Sequence, residues 1–204
     1  MTAVLTPTED ATQEIVIHFS PILKKLSERE FFEFCMLNRD LNWELTSDGD
    51  FVIMPPTTMK TGNRNFELNL AFGTWAKKDG TGKGFDSSAM FTLPNGAKRS
   101  PDCCWIRNER WEALPDEERE SFSHIAPDFI AELRSRSDRL GRLQKKMEEY
   151  VANGVQLGWL IDPFEKKVYV YRPQAAVEIL EDPETVSGDP LLRGFVLDVR
   201  PLWE

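Results

Sequence analysis

Ala126-Pro-Asp-Phe-Ile-Ala-Glu132-Leu-Arg-Ser135 opens the stretch that decides the fold; Asp138 to Asn153 and Val155-Gln-Leu-Gly-Trp-Leu-Ile-Asp-Pro163 complete it. The first segment is a short apolar run with strand character. The second repeats its apolar residues at helical spacing, and the third is again a strand. Strand, helix and strand in this order predict a parallel crossover. Alternation along the first strand puts Asp128, Ile130, Glu132 and Arg134 on one face and Phe129, Ala131 and Leu133 on the other. On the helix, Leu140, Leu143, Met147, Tyr150 and Val151 share one face. Lys145 falls on the solvated side, and Lys146 lies at the edge of the buried face, one turn before Tyr150.

Working outward, Arg99 to Ile106 reads as a strand that carries Ser100-Pro-Asp102. Ser27 to Asn38 reads as a helix with a capping box, Ser27 and Glu30, and a buried side of Phe31, Phe34, Cys35 and Leu37. Asn42–Thr46 and Phe51–Met54 form a hairpin around the turn Ser47-Asp-Gly-Asp50. A second helix runs from Thr61 or Gly62 to about Lys78. Its Phe66, Leu68, Leu70, Phe72 and Trp75 are apolar almost all round, which predicts burial. Gly80 to Gly84 reads as a flexible connection, Gly84 to Leu93 as a strand, and Leu93-Pro-Asn-Gly96 as a turn. Arg107 to Ser123 is polar and acidic and interrupts the sheet. Lys166–Arg172, Ala176–Leu180 and Phe195–Val199 supply further strands. The expected fold is α/β (α+β): one mixed sheet with helices on its face. Residues 1–17 carry little pattern and are expected to be a flexible tail; 18–204 are expected to form a single domain.

The chain of 204 residues carries a formal charge of −9. That balance argues against a generic DNA-coating protein, because phosphate binding needs clustered cations. It leaves room for a local basic patch, and for an acidic metal site whose charge a bound cation would offset. No stretch has the apolar length to span a bilayer. The N-terminus lacks the pattern of a secretory signal, so a cytoplasmic protein without membrane contact is expected. Cys35, Cys103 and Cys104 have no metal-site spacing and, with only His18 and His124 available, point to buried apolar roles rather than zinc.

A carboxylate inside a buried strand needs a cation or a metal as partner. For Glu132 that partner is Arg134, another strand or a metal. For Asp102 the plain alternative is a turn aspartate capping a backbone amide after proline. Lys146 adds a third element, since its stem can lie on the core while its ammonium reaches the preceding strand. Two strand carboxylates and one helix-edge lysine are the parts of a metal-dependent phosphodiester hydrolase. The carboxylates would hold Mg²⁺ or Mn²⁺ by oxygen, the cation would lower the pKa of a water, and the lysine would orient that water or stabilise developing charge.

The succession Thr61-Gly-Asn-Arg-Asn-Phe-Glu67, Arg99-Ser-Pro-Asp102, Pro127 through Glu132 to Asp138, and Lys146-Met-Glu-Glu-Tyr150 to Pro163 closely resembles a bacterial family. These are the Uma-two-like restriction endonucleases of the PD-(D/E)XK nuclease superfamily, and the resemblance covers about residues 27–173. It implies a restriction-endonuclease-like core that cuts DNA with Mg²⁺ (or Mn²⁺), and a homodimer. It assigns Asp102 and Glu132 as catalytic metal ligands, with the Leu133 backbone carbonyl beside them. Asp128, the other aspartate after a proline, fits the family order less well because it shares a strand with Glu132. Glu67 matches an additional acidic residue of the superfamily, acting on the metal through water; the alternative is a surface glutamate near Arg64. One position departs from the motif: Arg134 stands where lysine is expected, and arginine cannot serve as a base. Lys146 then matches relatives that supply the lysine from the following helix. The Arg134 departure and the acidic balance also support a nuclease-like binding module for nucleic acid or protein without turnover. A more remote alternative is a phosphohydrolase acting on a small nucleotide. Target choice would rest on loops such as Lys77–Lys83 and Asn108–Ser123, and Trp105, Trp111 and Trp203 read as core or rim packing.

Overall fold

The computed structural model describes residues 15–17, 27–54 and 56–204. In chain order the elements are β1 (Ile15–Ile17), α1 (Glu28–Leu37), β2 (Asn42–Leu45), β3 (Phe51–Met54), α2 (Met59–Asp79), β4 (Gly82–Asp86), β5 (Phe91–Thr92), β6 (Lys98–Arg99) and β7 (Cys103–Arg107). They continue with α3 (Asn108–Glu112), α4 (Asp116–Arg119), β8 (Phe129–Leu133), α5 (Leu140–Ala152), β9 (Leu157–Asp162), β10 (Lys167–Tyr171), β11 (Glu178–Glu181), β12 (Thr185–Ser187), β13 (Val196–Asp198) and α6 (Arg200–Trp203). A central six-stranded sheet has the order β11-β10-β9-β8-β7-β4. It is mixed: β8 and β9 run parallel, and the other pairs are antiparallel.

The parallel pair is there because α5 carries the chain back across the sheet. β8 and β9 are buried along their whole length, as strands covered on both faces must be. Phe129, Ala131 and Leu133 face one layer, with Leu68 and Phe72 of α2 and Phe195 and Leu197 near the C-terminus. Ile130 faces the other, with Leu143, Met147 and Tyr150 of α5. Helix and strand approach closely: a Cβ on Gly158 would stand 2.8 Å from Met147 Cε.

A second, five-stranded sheet of order β1-β3-β2-β6-β5 accompanies the first. The sequence predicts one strand from Arg99 to Ile106, but two are found, in different sheets. The break is at Ser100-Pro-Asp102, where proline offers no N–H to a ladder. There the chain crosses between sheets. Ile15–Ile17, counted with the tail, pairs antiparallel with β3, which suits three β-branched residues in a row. The rest of the expected tail lies outside the described residues.

The capping box of α1 is present. Two expected burials are not. Leu37 is 85% exposed, and on α2 Phe66 and Leu70 are 62% and 52% exposed. The inner face of α2 is built from Leu68, Phe72 and Ala76, and its other face meets solvent. Gly80–Gly84 is no loop: α2 ends at the left-handed Gly80, and β4 begins at Gly82. A Cβ at Gly82 would stand 2.3 Å from the Trp105 ring, so glycine admits the indole rather than marking flexibility. β12 and α6 carry no pattern strong enough to predict. No described helix is long and apolar enough to cross a membrane.

Phe129 is fully buried, stacked on Phe72 at 5.5 Å and edge-on to Trp159 at 5.0 Å. Phe129→Ala is expected to cost about 3–5 kcal/mol and lower the melting temperature by roughly 10 °C. A calorimetric melt checks this; a shift under about 3 °C would place the central sheet's support elsewhere.

Candidate functional site

Register brings the first two residues together. In the β7–β8 pair, Cys103 lies opposite Ala131. One step further along each antiparallel strand are Asp102 and Glu132. Asp102 sits in the break after Pro101. Its Oδ2 accepts from the Leu133 N–H at 2.8 Å, and its carbonyl accepts from Asn69 Nδ2 of α2 at 3.1 Å. The amide that Oδ2 binds lies on the neighbouring strand rather than in the turn after Pro101, so the turn-capping alternative is not what is found; Oδ1 takes no hydrogen bond among the described residues.

Glu132 shares the Ile130 face of β8, so it points at α5. Tyr150 donates its hydroxyl to Glu132 Oε1 at 3.0 Å, and Lys146 Nζ lies 2.9 Å from the same oxygen. Lys146 and Tyr150 are one helical turn apart and meet one acceptor. Arg134 is not the partner of Glu132: it pairs with the buried Asp162 at 2.7 Å.

The residue that sequence reasoning missed is Glu44 of β2, 3% exposed. Its Oε1 lies 2.8 Å from Lys146 Nζ and accepts from the Ser100 N–H at 3.1 Å; its Oε2 accepts from Arg99 Nη1 at 3.0 Å. Arg99 also reaches Glu149 of α5, at 2.6 Å. Alternation sets Glu44 opposite in facing to its neighbours Trp43 and Leu45, which hints at a polar contact. Nothing in the sequence ties it to a helix a hundred residues away.

Asp102, Glu132, Leu133 and Lys146 line one cleft of about 200 Å³, with Asn65 of α2 and Asp138 on its wall. Asp138 Oδ2 accepts from the Ser135 N–H at 2.6 Å, closing the turn above the strand. Glu67 does not line the cleft. It stands two residues from Asn65, about 200° around the helix, and is half-buried. Asp128 lies at the other end of β8, about 13 Å from Glu132 at strand rise. It is held by Arg107 at 2.9 Å and Arg110 at 3.1 Å.

Burial raises the Asp102 carboxyl to about 6, against the Leu133 N–H and Lys146, which lower it. Burial raises Glu132 further, to about 8; Lys146 opposes the shift, while Asp102 and Glu44 add to it. Burial also acts on Glu44, but Lys146 and Arg99 beside it outweigh that and hold it below the usual carboxylate range. Lys146 is pushed down by burial and up, more strongly, by Glu132 and Glu44. It therefore stays an ammonium at neutral pH. The site has one satisfied carboxylate and two whose negative charge is under-compensated.

Carboxyl oxygens short of cationic partners are hard donors of the kind Mg²⁺ or Mn²⁺ takes, and a bound cation would displace their protons. Among the described residues no three His, Cys, Asp or Glu side chains are grouped to hold a metal ion. Two carboxylates suffice where substrate phosphate supplies further oxygens, as is usual for Mg²⁺. The three cysteines are free and buried, as expected.

The model of a family described as "Uma2: Putative restriction endonuclease" matches residues 29–200, beyond the stretch that carries the motifs. Among solved structures, the chain is similar to one described as a putative nuclease belonging to DUF820 from Anabaena variabilis ATCC 29413. The match has a TM-score of 0.66 at 24% identity, and covers 79% of this chain and 89% of that one. At that identity the likeness concerns the fold. No curated protein matches the chain.

The raised carboxyls set a pH dependence. Without metal, native Glu132 holds its proton up to about pH 8, whereas the unfolded carboxyl, with an ordinary value of 4.5, releases it earlier. Stability must then fall as pH rises between those values. In EDTA, the melting temperature is expected to drop from pH 5 to pH 8, and to drop less in Glu132→Gln. Equal slopes in the two proteins would refute the assigned burial of charge.

Proposed function

The chain belongs to the Uma2 family, and on that premise we propose that it is a divalent-metal-dependent endonuclease hydrolysing phosphodiester bonds of DNA. One observation carries the reading. Asp102 and Glu132 meet in one cleft although 30 residues separate them, with an ammonium 2.9 Å from Glu132.

In this reading Asp102, Glu132 and the Leu133 carbonyl would hold Mg²⁺ or Mn²⁺; Oδ1 of Asp102 and Oε2 of Glu132 take no hydrogen bond among the described residues. The bound cation would polarise the phosphoryl group and favour ionisation of a water. Leu133 N–H and Tyr150 OH fix the two carboxylates, so little reorganisation accompanies binding. Lys146 cannot take up a proton, because it is already charged. Its role is to orient the attacking water and to stabilise negative charge building on the phosphate. Arg134, in the lysine position of the motif, is withdrawn by Asp162 and takes no part in the chemistry.

Glu44 is a positioning residue. With a cation on Glu132, its hold on Lys146 would weaken, and Glu44 would keep the ammonium in the cleft. Glu67 has no place in this mechanism at the positions described. Cutting both strands calls for two sites, which favours a homodimer.

Cleavage of plasmid DNA in Mg²⁺ or Mn²⁺ tests the assignment. Asp102→Asn and Glu132→Gln are each expected to lose at least about 100-fold in rate while keeping native circular dichroism. Wild-type cleavage by either variant would end the reading, and a wild type that binds DNA without cutting it would favour a binding module. Glu44→Gln separates positioning from ligation: kcat should fall about tenfold with the calorimetric Mn²⁺ affinity unchanged. A loss of Mn²⁺ binding instead would make Glu44 a ligand.

A further inference from the structure

Beside the cleft, three guanidinium groups surround one aromatic ring. The central carbons of Arg64, Arg134 and Arg136 stand 5.6, 5.5 and 5.5 Å from the centre of the Phe164 ring. No two of them can therefore be further apart than twice that distance. Like charges gather this closely only at a cost, in a chain whose net charge is −9.

The counter-charge around them is incomplete. Arg134 pairs with Asp162. Arg64, 5% exposed, donates to the Glu204 main-chain oxygen at 2.7 Å, and its Nε has no hydrogen-bond partner among the described residues. Burial and the nearby Arg136 both lower the Arg64 pKa. Arg136 is exposed and has no carboxylate partner among the described residues.

The cluster is built rather than incidental. Asp162 accepts from Arg134 through Oδ2 and from the Phe164 N–H through Oδ1 at 3.0 Å. One buried carboxylate thus sets both the ring and one guanidinium. A ring face attracts cations by its quadrupole, and holds the planar groups without neutralising them. The cluster also adjoins the cleft: Ser135 and Ser137, which alternate with Arg134 and Arg136 along the chain, line it, and so does Asn65 next to Arg64.

We infer that Arg136, backed by Arg134 and Arg64 around Phe164, is a subsite for a backbone phosphate of the nucleic-acid strand, flanking the cleft. Arg136 would make the contact; the two arginines beneath supply fixed positive charge. Guanidinium suits this task because its fork matches phosphate oxygens. The inference rests on the nucleic-acid reading of the cleft, but its test needs no cleavage.

Binding of a fluorescein-labelled duplex is measured by anisotropy on Asp102→Asn protein across a salt series. Adding Arg136→Ala should weaken binding about five- to tenfold at low salt. It should also reduce the slope of log K against log salt by about 0.9, the loss of one phosphate contact. Arg136→Glu should weaken binding further, Arg136→Lys should retain most of it, and Arg193→Ala, on an exposed residue outside the cluster, should change nothing. An unchanged slope in Arg136→Glu, or no binding by the parent at any salt, overturns the subsite. Binding that depends on Arg136 in a protein that never cuts would uphold the subsite and sink the nuclease. Cutting by Arg136→Glu at the wild-type rate, with unchanged affinity, would do the reverse.

Discussion

The ammonium of Lys146 stands 2.8 Å from Glu44 and 2.9 Å from Glu132, and each carboxylate belongs to a different sheet. β2 brings Glu44 from the five-stranded sheet, β8 brings Glu132 from the central one, and α5 inserts the lysine between them. Arg99 adds a second link from the five-stranded sheet to α5, joining Glu44 to Glu149. Charges this deep are expensive unless every one is matched, and removing a partner from such a network costs about 3–5 kcal/mol. The arrangement of sheets and helix is therefore bound to the arrangement of the cleft. A shift of α5 that suited the core alone would leave an ion unpaired.

The network stops short of neutrality where chemistry would occur. Glu44 is matched by two cations, but Asp102 and Glu132 share what remains of Lys146. Their raised carboxyls are the sign of that deficit. Stability given up at a site must come from elsewhere, here from the fully buried β8 and β9 and the aromatic layer of Phe72, Phe129, Trp159 and Phe195. The arginines around Phe164 form the opposite imbalance, an excess of positive charge on the neighbouring rim. Under the proposed function, the two imbalances would be met together by a polyanion that carries a divalent cation with it.

Most of the central layer was legible because its signals are local. The β8-α5-β9 unit follows from alternation and helical spacing within about forty residues. The α1 cap follows from Ser27 and Glu30 alone. Errors arose where a local signal met a non-local cause. Phe66 and Leu70 look like core, yet nothing covers that face of α2 among the described residues. Gly82 looks like flexibility, yet it exists to admit Trp105. Arg99 to Ile106 looks like one strand, because a proline's missing donor does not say that the chain changes sheets there.

By itself, the sequence determined the fold class, the crossover and the chemical types at the site: a carboxylate buried in a strand, another after proline, a lysine on a helix edge. Periodicity does this because it reports which face of an element is apolar, and the face is a property of neighbours in the chain. Only the tertiary structure decided the partners. The β7–β8 register sets Asp102 against Glu132, the packing of two sheets brings Glu44 to Lys146, and Asp162 draws Arg134 away from the cleft towards Phe164. Ion pairs and registers join residues that are remote in sequence, and their distances exist only once the elements have packed.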